Sequence, residues 1–495
     1  MVRREVIKHT RSVLQTEPTK HMSSEPTPLS PQERRAIRII PYIVGCALFM
    51  QMLDSTVVAT ALPMMAASLN TDAIRMNTII TSYLLAVAVF VPVSGWAADK
   101  FGARRVFIAA ILLFTLSSVA CAISQNLNQL IAARIVQGLA GAMMVPVGRI
   151  ILLRRTPKSD LLSAMAILSL PALLGPIVGP PVGGFFVTYF SWHWIFLINI
   201  PVGLLGIALV LRYIRADLPN EAPPLDWLGF FLSATALACL VVSFESIGHS
   251  ELSPKQLALL FGTGLITATW YIWHAKHVAF PIIDLSLLRT RSFAISIFGG
   301  NLCRFSLGSV PFMLALLLQL GFGMSALAAG LVTFTSAVGA IVIKPLAPRI
   351  IRRFGYRNVL MYNALLTGLF IALCGFFSES TPLWWMSCIL GVGGVFRSLQ
   401  FTAVNTLTYA DLDQQAMSRA SSFAAMAQQL GISLGVACAA ITLNISMHWH
   451  QHAQVHTQDL FWGFMVIGGL TAISFFSFKR LPQQAGASLQ GKKSS

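Results

Sequence analysis

The sequence predicts an all-α polytopic membrane protein of fourteen transmembrane helices, grouped as six, two and six. Three observations carry that expectation. Hydrophobic residues make up 55% of the 495-residue chain, charged residues only 11%, and the mean hydropathy is +0.71, whereas a soluble domain carries about 25% charge. Apolar runs long enough to cross a bilayer, about 20 residues each, recur along the whole chain. The basic residues, finally, fall almost entirely into alternate loops.

The apolar segments cover residues 38–61, 77–97, 105–124, 130–153, 161–187, 193–212, 225–246, 256–275, 293–318, 327–347, 358–377, 383–407, 415–445 and 460–478. Before them, residues 1–37 are polar, basic and proline-containing, without the apolar core of a signal peptide; they read as a flexible cytosolic tail. Residues 481–495 read as a second cytosolic tail. Between the tails, residues 38–214 form a first six-helix bundle, 215–280 add two helices, and 281–480 form a second bundle.

Orientation follows from the bias of Lys and Arg toward cytosolic loops. With the N-terminus inside, tails and inner loops hold 28 of the 35 basic residues and outer loops only Arg75 and Lys255. Arg134, Arg149, Arg304, Lys344 and Arg397 lie within spans. Shifting the count by one span scrambles this alternation, so both termini are expected in the cytoplasm. The net charge of +17 therefore reflects topology, and no nucleic-acid partner is implied.

The halves echo one another. DKFGARR (Asp99–Arg105) follows the second span and RRFGYR (Arg352–Arg357) the tenth. Repeated bundles around a midplane cavity are a recurring design of secondary transporters.

Five stretches carry a family resemblance over residues 40–480 or so. GWAADKFGARRVF (Gly95–Phe107) is similar to the G-x-L-A-D-R-x-G-R-K loop of the major facilitator superfamily, and LIAARIVQGLAGA (Leu130–Ala142) to its R-x-x-Q-G motif. GPIVGPPVGG (Gly175–Gly184) matches the G-x-x-x-G-P-x-x-G-G antiporter motif. LDSTVVATALP (Leu53–Pro63) and WHWIFLINIPVG (Trp192–Gly203) resemble the fourteen-span drug:proton antiporters of the EmrB/QacA type, and within them the MdtD-like multidrug exporters. Ala59 departs from the usual asparagine, and Arg352 replaces the acid of the second-half loop. The resemblance implies a major facilitator fold and proton-coupled efflux of small amphipathic or toxic compounds across the bacterial inner membrane.

Glycine and proline cost about 1 and 3 kcal/mol in a helix interior, yet the Gly175–Gly184 run concentrates both. Membrane helices pack through small residues, and Gly175, Gly179 and Gly183 recur every four residues; Pro180 and its neighbours bend the helix. With Gly184 these residues are expected to form a kinked, close contact between the two halves, a role the resemblance also implies. A structural kink without gating is the alternative.

In the loop of Gly95, Asp99, Lys100, Gly102, Arg104 and Arg105, the resemblance implies a conformational latch. Asp99 and its basic neighbours are expected to form a switchable cluster with nearby helix ends, the alternative being plain topogenic charge.

Intramembrane charges are functional candidates by default. Asp54 lies about 10 Å from the outer end of its span and Arg134 about 6 Å from the outer start of its own, at 1.5 Å per residue. The two are expected to meet, with Asp54 as proton carrier or, alternatively, as half of a permanent ion pair. Arg304 and Arg397, with Asn301, Gln319, Gln400 and Asn405, are candidates for a substrate cavity. Besides Asp54 the acid read as a mid-membrane candidate is Glu245, which disfavours dications and makes an anionic or zwitterionic substrate plausible; bracing of helices is the alternative. Arg149 and Lys344 are expected to snorkel.

The seven cysteines all lie in apolar segments without CxxC spacing and read as inert packing. MHWHQHAQVH (Met447–His456) reads as a solvated loop, with metal binding the less favoured alternative. No P-loop, nucleophile elbow or HExxH occurs, which argues against an enzyme and against direct ATP coupling. No cofactor or metal is expected; the partners are a small-molecule substrate, protons and the bilayer, with a periplasmic adaptor left open. The alternative functions are export of a particular anionic metabolite or metal chelate, or a non-transporting membrane receptor.

Overall fold

The computed structural model describes residues 31–71, 76, 78–216, 223–246, 252–324, 326–452 and 455–486. Every regular element among them is helical, as a chain with few charges must be where only intrahelical bonds can satisfy the backbone in lipid. In the first half these are α1 (Pro31–Ser68), α2 (Thr78–Phe90), α3 (Val93–Phe101), α4 (Ala103–Ala122), α5 (Leu127–Arg155), α6 (Lys158–Tyr189), α7 (Trp194–Leu197) and α8 (Asn199–Tyr213). An intervening pair follows, α9 (Trp227–Ser246) and α10 (Pro254–His277). The second half comprises α11 (Arg291–Ala315), α12 (Ala326–Val342), α13 (Ala347–Leu373), α14 (Leu383–Leu407), α15 (Met417–His450) and α16 (Thr457–Lys479).

Each predicted apolar segment coincides with one helix or with a broken pair. Ten described helices are long and apolar enough to cross a membrane alone, and the bent pair α2–α3 makes an eleventh. The pair bends by 59° at Pro92, whose ring removes a donor and blocks the preceding turn. The other elements that coincide with predicted spans are α6, α10 and α12. Helix α1 begins at Pro31, so it takes in the end of the predicted tail; residues 1–30 and 487–495 lie outside the described residues. Leu481 and Ala485 are buried as part of the apolar cluster that both halves share.

Gly102 at φ 86° separates α3 from α4, and Gly355 at φ 79° breaks α13 at the equivalent point of the second half. Left-handed backbone of this kind favours glycine, which explains why both repeated loops carry it.

The packing of the halves is uneven. One apolar cluster joins them, with Val44, Phe107, Ile151 and Leu162 of the first half sharing a core with Phe293, Ile351, Leu399 and Phe423 of the second. A second cluster, around Met313, Ile371, Leu390 and Phe464, is confined to the second half. The third, around Leu53, Val57, Ile79 and Trp192, is confined to the first. The shared core sits at the end carrying the Asp99 loop; toward the Asp54 end the clusters are separate. Helix α9 packs against both α2 and α15, so the intervening pair flanks the seam.

Candidate functional site

Asp54 and Arg134 meet. A guanidinium nitrogen (Nη1) of Arg134 donates to Asp54 Oδ2 at 2.5 Å, and neither side chain has any exposed surface. Three further helices complete the setting. Gln137, one turn beyond Arg134 on α5, donates to Asp54 Oδ1 at 3.0 Å, and Asn199 at the start of α8 donates to the same oxygen at 3.0 Å. Both amides also donate to Ser118 Oγ of α4, at 2.8 and 3.1 Å. From α2 come the Ile79 carbonyl, accepting from Arg134 Nε at 3.2 Å, and the Tyr83 ring, whose centroid lies 4.3 Å from the guanidinium carbon. A buried charge is tolerated only when paired and hydrogen-bonded, and here five helices supply the partners.

Gln137, Asn199, Ser118 and Tyr83 have no role evident from the sequence alone. A signal for Gln137 existed, since residues three apart share a helix face and it stands three after Arg134. Asn199, a lone amide in an apolar run, carried a weaker one.

Close beside the pair, α6 presses on α1. A β-carbon on Gly175 would lie 2.6 Å from Met52 Cβ, and one on Gly179 only 2.0 Å from Thr56 Oγ1. Gly45 of α1 faces Pro171 of α6 in the same way, at 2.7 Å. The expected contact between halves is thus, at these glycines, a contact within the first half. Other faces of α6 reach α12, α13 and α14, because a helix of this length presents more than one surface. Gly183 is buried and Gly184 faces open space. Helix α6 runs unbroken through the proline run; the side chain of Pro180 lies outside the described residues, as do those of Ala59 and Glu245.

At the other end, Asp99 Oδ1 accepts from Arg154 Nη2 at 2.5 Å and from Ser418 Oγ at 2.6 Å, and Arg154 donates to Ser418 at 2.7 Å. Asp99 thus bonds across to the second half. Its partner is Arg154, which the sequence reading counted only as topogenic charge. Lys100 instead lies 4.8 Å over the Trp96 ring, Arg104 donates to the Leu211 carbonyl at 3.0 Å, and Arg105 is exposed. Gly95 packs directly under α15: its N–H donates to Ser422 Oγ at 2.8 Å, and a β-carbon there would lie 2.6 Å from the Ser418 carbonyl oxygen. Ser421 donates to the Pro146 carbonyl at 3.0 Å.

Arg149 and Lys344 do not snorkel. Arg149 is buried and donates to the Tyr409 hydroxyl at 3.1 Å, across the seam; Lys344 is buried and donates to Thr402 Oγ1 at 2.8 Å. Polar partners on facing helices hold both inside the protein, which removes the gain from reaching the interface.

In the second half, Arg304, Arg397 and Gln400 line one small, partly open pocket between α11, α13 and α14. Asn301 and Asn405 do not line it; they fix Arg304 from behind, their side-chain oxygens accepting at 3.1 and 2.9 Å. Arg397 donates to Ser336 Oγ. Thr367, also lining the cavity, is 2% exposed with no hydrogen-bond partner for its hydroxyl. No residue lining the cavity is acidic. Gln319 is exposed beyond the end of α11 and takes no part.

The sequence model of the Major Facilitator Superfamily matches residues 44–436 and 297–493. The chain belongs to this superfamily. It is therefore a multi-pass membrane transport protein rather than an enzyme. Among its relatives, MdtD of Cronobacter sakazakii, a protein named for multidrug resistance, is 39% identical over 449 residues, covering 89% of this chain and 94% of the relative. MdtD of Escherichia coli O6:H1 is 38% identical over 447 residues, with 89% and 94% covered. Superfamily structures share the fold at low identity. The human organic anion transporter MFSD10 superposes with a TM-score of 0.62 at 16% identity, covering 91% of this chain and all (100%) of that one. The proton:xylose symporter XylE gives 0.62 at 14% identity, covering 92% and 98%.

Proposed function

We propose that the protein exports small amphipathic or toxic compounds in exchange for protons, across a bacterial inner membrane, through fourteen spans with both termini cytoplasmic. The sealed Asp54–Arg134 pair carries this reading. Two amides and a serine already surround the carboxylate, so a proton arriving on Asp54 leaves polar partners for both residues and removes only the charge–charge attraction. Because Asp54 lies between Met52 and Thr56, which take the close contact of α1 with α6, a change in its charge acts beside the place where small residues allow the helices to slide.

The uneven packing supports an outward-opening state, with one core shared across the seam at the cytosolic end and separate clusters toward the outside. From that state a local opening of the sealed pair lets Asp54 take a proton from outside; after the halves rock, it returns the proton inside while substrate leaves by the opposite route. One proton moving down 100 mV supplies about 2.3 kcal/mol, somewhat under a 100-fold concentration ratio at about 1.4 kcal/mol per tenfold step.

A specific observation favours an anionic substrate as a second reading. A buried guanidinium group (Arg304), a half-buried one (Arg397) and an unpartnered Thr367 hydroxyl border one cavity without an acidic residue, and burying cations without a counter-charge is costly. A carboxylate or phosphate group on the substrate would supply that charge.

Everted vesicles bearing an imposed pH gradient test the leading reading, using anions and lipophilic cations on wild type and Asp54→Asn. Collapse of the gradient on adding a compound, absent in the variant, is expected. A wild type indifferent to every compound would turn the reading toward a narrow metabolite exporter or a receptor.

A further inference from the structure

The turn joining α15 to α16 gathers imidazoles that the transport reading leaves unused. Helix α15 ends because Gln451 adopts left-handed backbone at φ 55°, an uncommon conformation for a residue with a side chain. That single residue reverses the chain and brings His452 back beside His450, their rings stacked at 16° with centroids 5.5 Å apart. The third member comes from the first turn of α16. Asp459 is fully buried, its Oδ1 accepting from Ser446 Oγ at 2.6 Å and its Oδ2 from the His456 N–H at 3.0 Å.

The imidazoles are held by their neighbours, and His450 Nε2 lies 3.3 Å from Gln458 Nε2. His450 Nδ1 lies 2.8 Å from the Ser446 carbonyl oxygen, and His452 Nδ1 lies 2.9 Å from Asp459 Oδ2. Both Nδ1 atoms face the same carboxylate, His450 Nδ1 lying 3.8 Å from Asp459 Oδ1, so an ion held here would be bound through Nδ1 of each histidine in place of these hydrogen bonds. Ligand atoms of His450, His452 and Asp459 lie within 4.8 Å of one another. A tetrahedral site with bonds of about 2.0–2.1 Å needs about 3.3 Å, within reach of small rotations of the two histidines, which are 30% and 22% exposed.

We propose that His450, His452 and Asp459 bind a divalent late first-row transition metal ion, with His456 flanking the site. Two imidazoles and one carboxylate suit zinc, copper or nickel; calcium and magnesium prefer all-oxygen sets. The ion would staple the end of α15 to the start of α16. Since α15 at its other end, through Ser418 and Ser422, closes on Asp99 and Gly95, the site fixes one end of the helix that seals the seam.

Untagged full-length protein in nanodiscs, titrated with Zn2+ by calorimetry, tests this, alongside His450→Ala and His452→Ala. One ion per chain is expected, weakened at least tenfold by each substitution in variants that elute as the wild type does, with a Zn2+-dependent rise in Tm confined to the wild type. Electron paramagnetic resonance of bound Cu2+ needs no variant and is expected to show coupling to imidazole nitrogen. A wild type that binds no Zn2+, equal binding by both variants, or a Cu2+ spectrum without nitrogen coupling would overturn the site.

Discussion

Thr56 and Gly179 are locked together: a β-carbon on Gly179 would sit 2.0 Å from the Thr56 hydroxyl oxygen and 2.8 Å from its β-carbon. Thr56 lies two residues from Asp54, so this contact and the buried ion pair share one short stretch of α1. Gly179→Ala is expected to push α6 off α1 at a cost of about 1–3 kcal/mol, the range for overpacked cores, and to lower transport about tenfold or more, at about 1.4 kcal/mol per factor of ten. Adding Thr56→Gly removes both obstructing atoms and is expected to restore activity. Assaying the single and double variants together checks this, and no rescue would mean that Gly179 acts through something other than space.

Arg134→Ala strips the counter-charge from a fully buried carboxylate. Removing one partner of a buried pair costs about 3–5 kcal/mol. Asp54→Asn is expected to be milder, because Gln137, the Ile79 carbonyl and the Tyr83 ring still hold the guanidinium. Thermal melts in nanodiscs should therefore rank wild type, Asp54→Asn and Arg134→Ala in falling order. The reverse order of the two variants would contradict the described network.

Across the seam, Asp99 binds both Arg154 and Ser418. Asp99→Asn weakens this bridge and is expected to shift the protein toward opening at that end. A cysteine replacing the fully buried Ser421, in a background without the native cysteines, reports the change. Its labelling by a hydrophilic maleimide from the cytosolic side should rise several-fold in Asp99→Asn; unchanged labelling would assign the bridge a static role.

Arg304→Gln and Arg397→Gln each remove a cation from the cavity they share with Thr367. If the substrate is anionic, transport of anions should fall about 10- to 100-fold, consistent with about 1.5–3 kcal/mol for a charged hydrogen bond. Lipophilic cations should be far less affected. Equal losses for both classes would indicate that the arginines merely brace the second bundle.

Much of the fold was legible because lipid imposes simple rules. Length and apolarity placed a helix or a broken pair at each apolar segment, whereas the bend at Pro92 and the breaks at Gly102 and Gly355 appeared only in the structure. Asp54 and Arg134 could be matched by depth alone. Side-chain partners were another matter. Arg154 looked like one more cytosolic charge until α15 brought Ser418 beside it, and Arg149 and Lys344 looked free to snorkel until Tyr409 and Thr402 were seen to hold them. The glycines of α6 announced close packing but not its recipient, since a smooth stripe has no chemistry specific to α1. The histidines of Met447–His456 looked solvated because their organiser, Asp459, belongs to the next helix. Whatever depended on one helix and the bilayer was readable; whatever depended on which helices adjoin was not.

The central claim, that Asp54 carries the coupling proton, is tested most directly by separating exchange from net transport. In proteoliposomes, using a compound that collapses the gradient in wild-type vesicles, substrate–substrate exchange and proton-driven uphill transport would be measured for wild type and Asp54→Asn. The account predicts that the variant keeps exchange while losing uphill transport and its pH dependence. Uphill, proton-driven transport surviving in Asp54→Asn at the wild-type rate would contradict it.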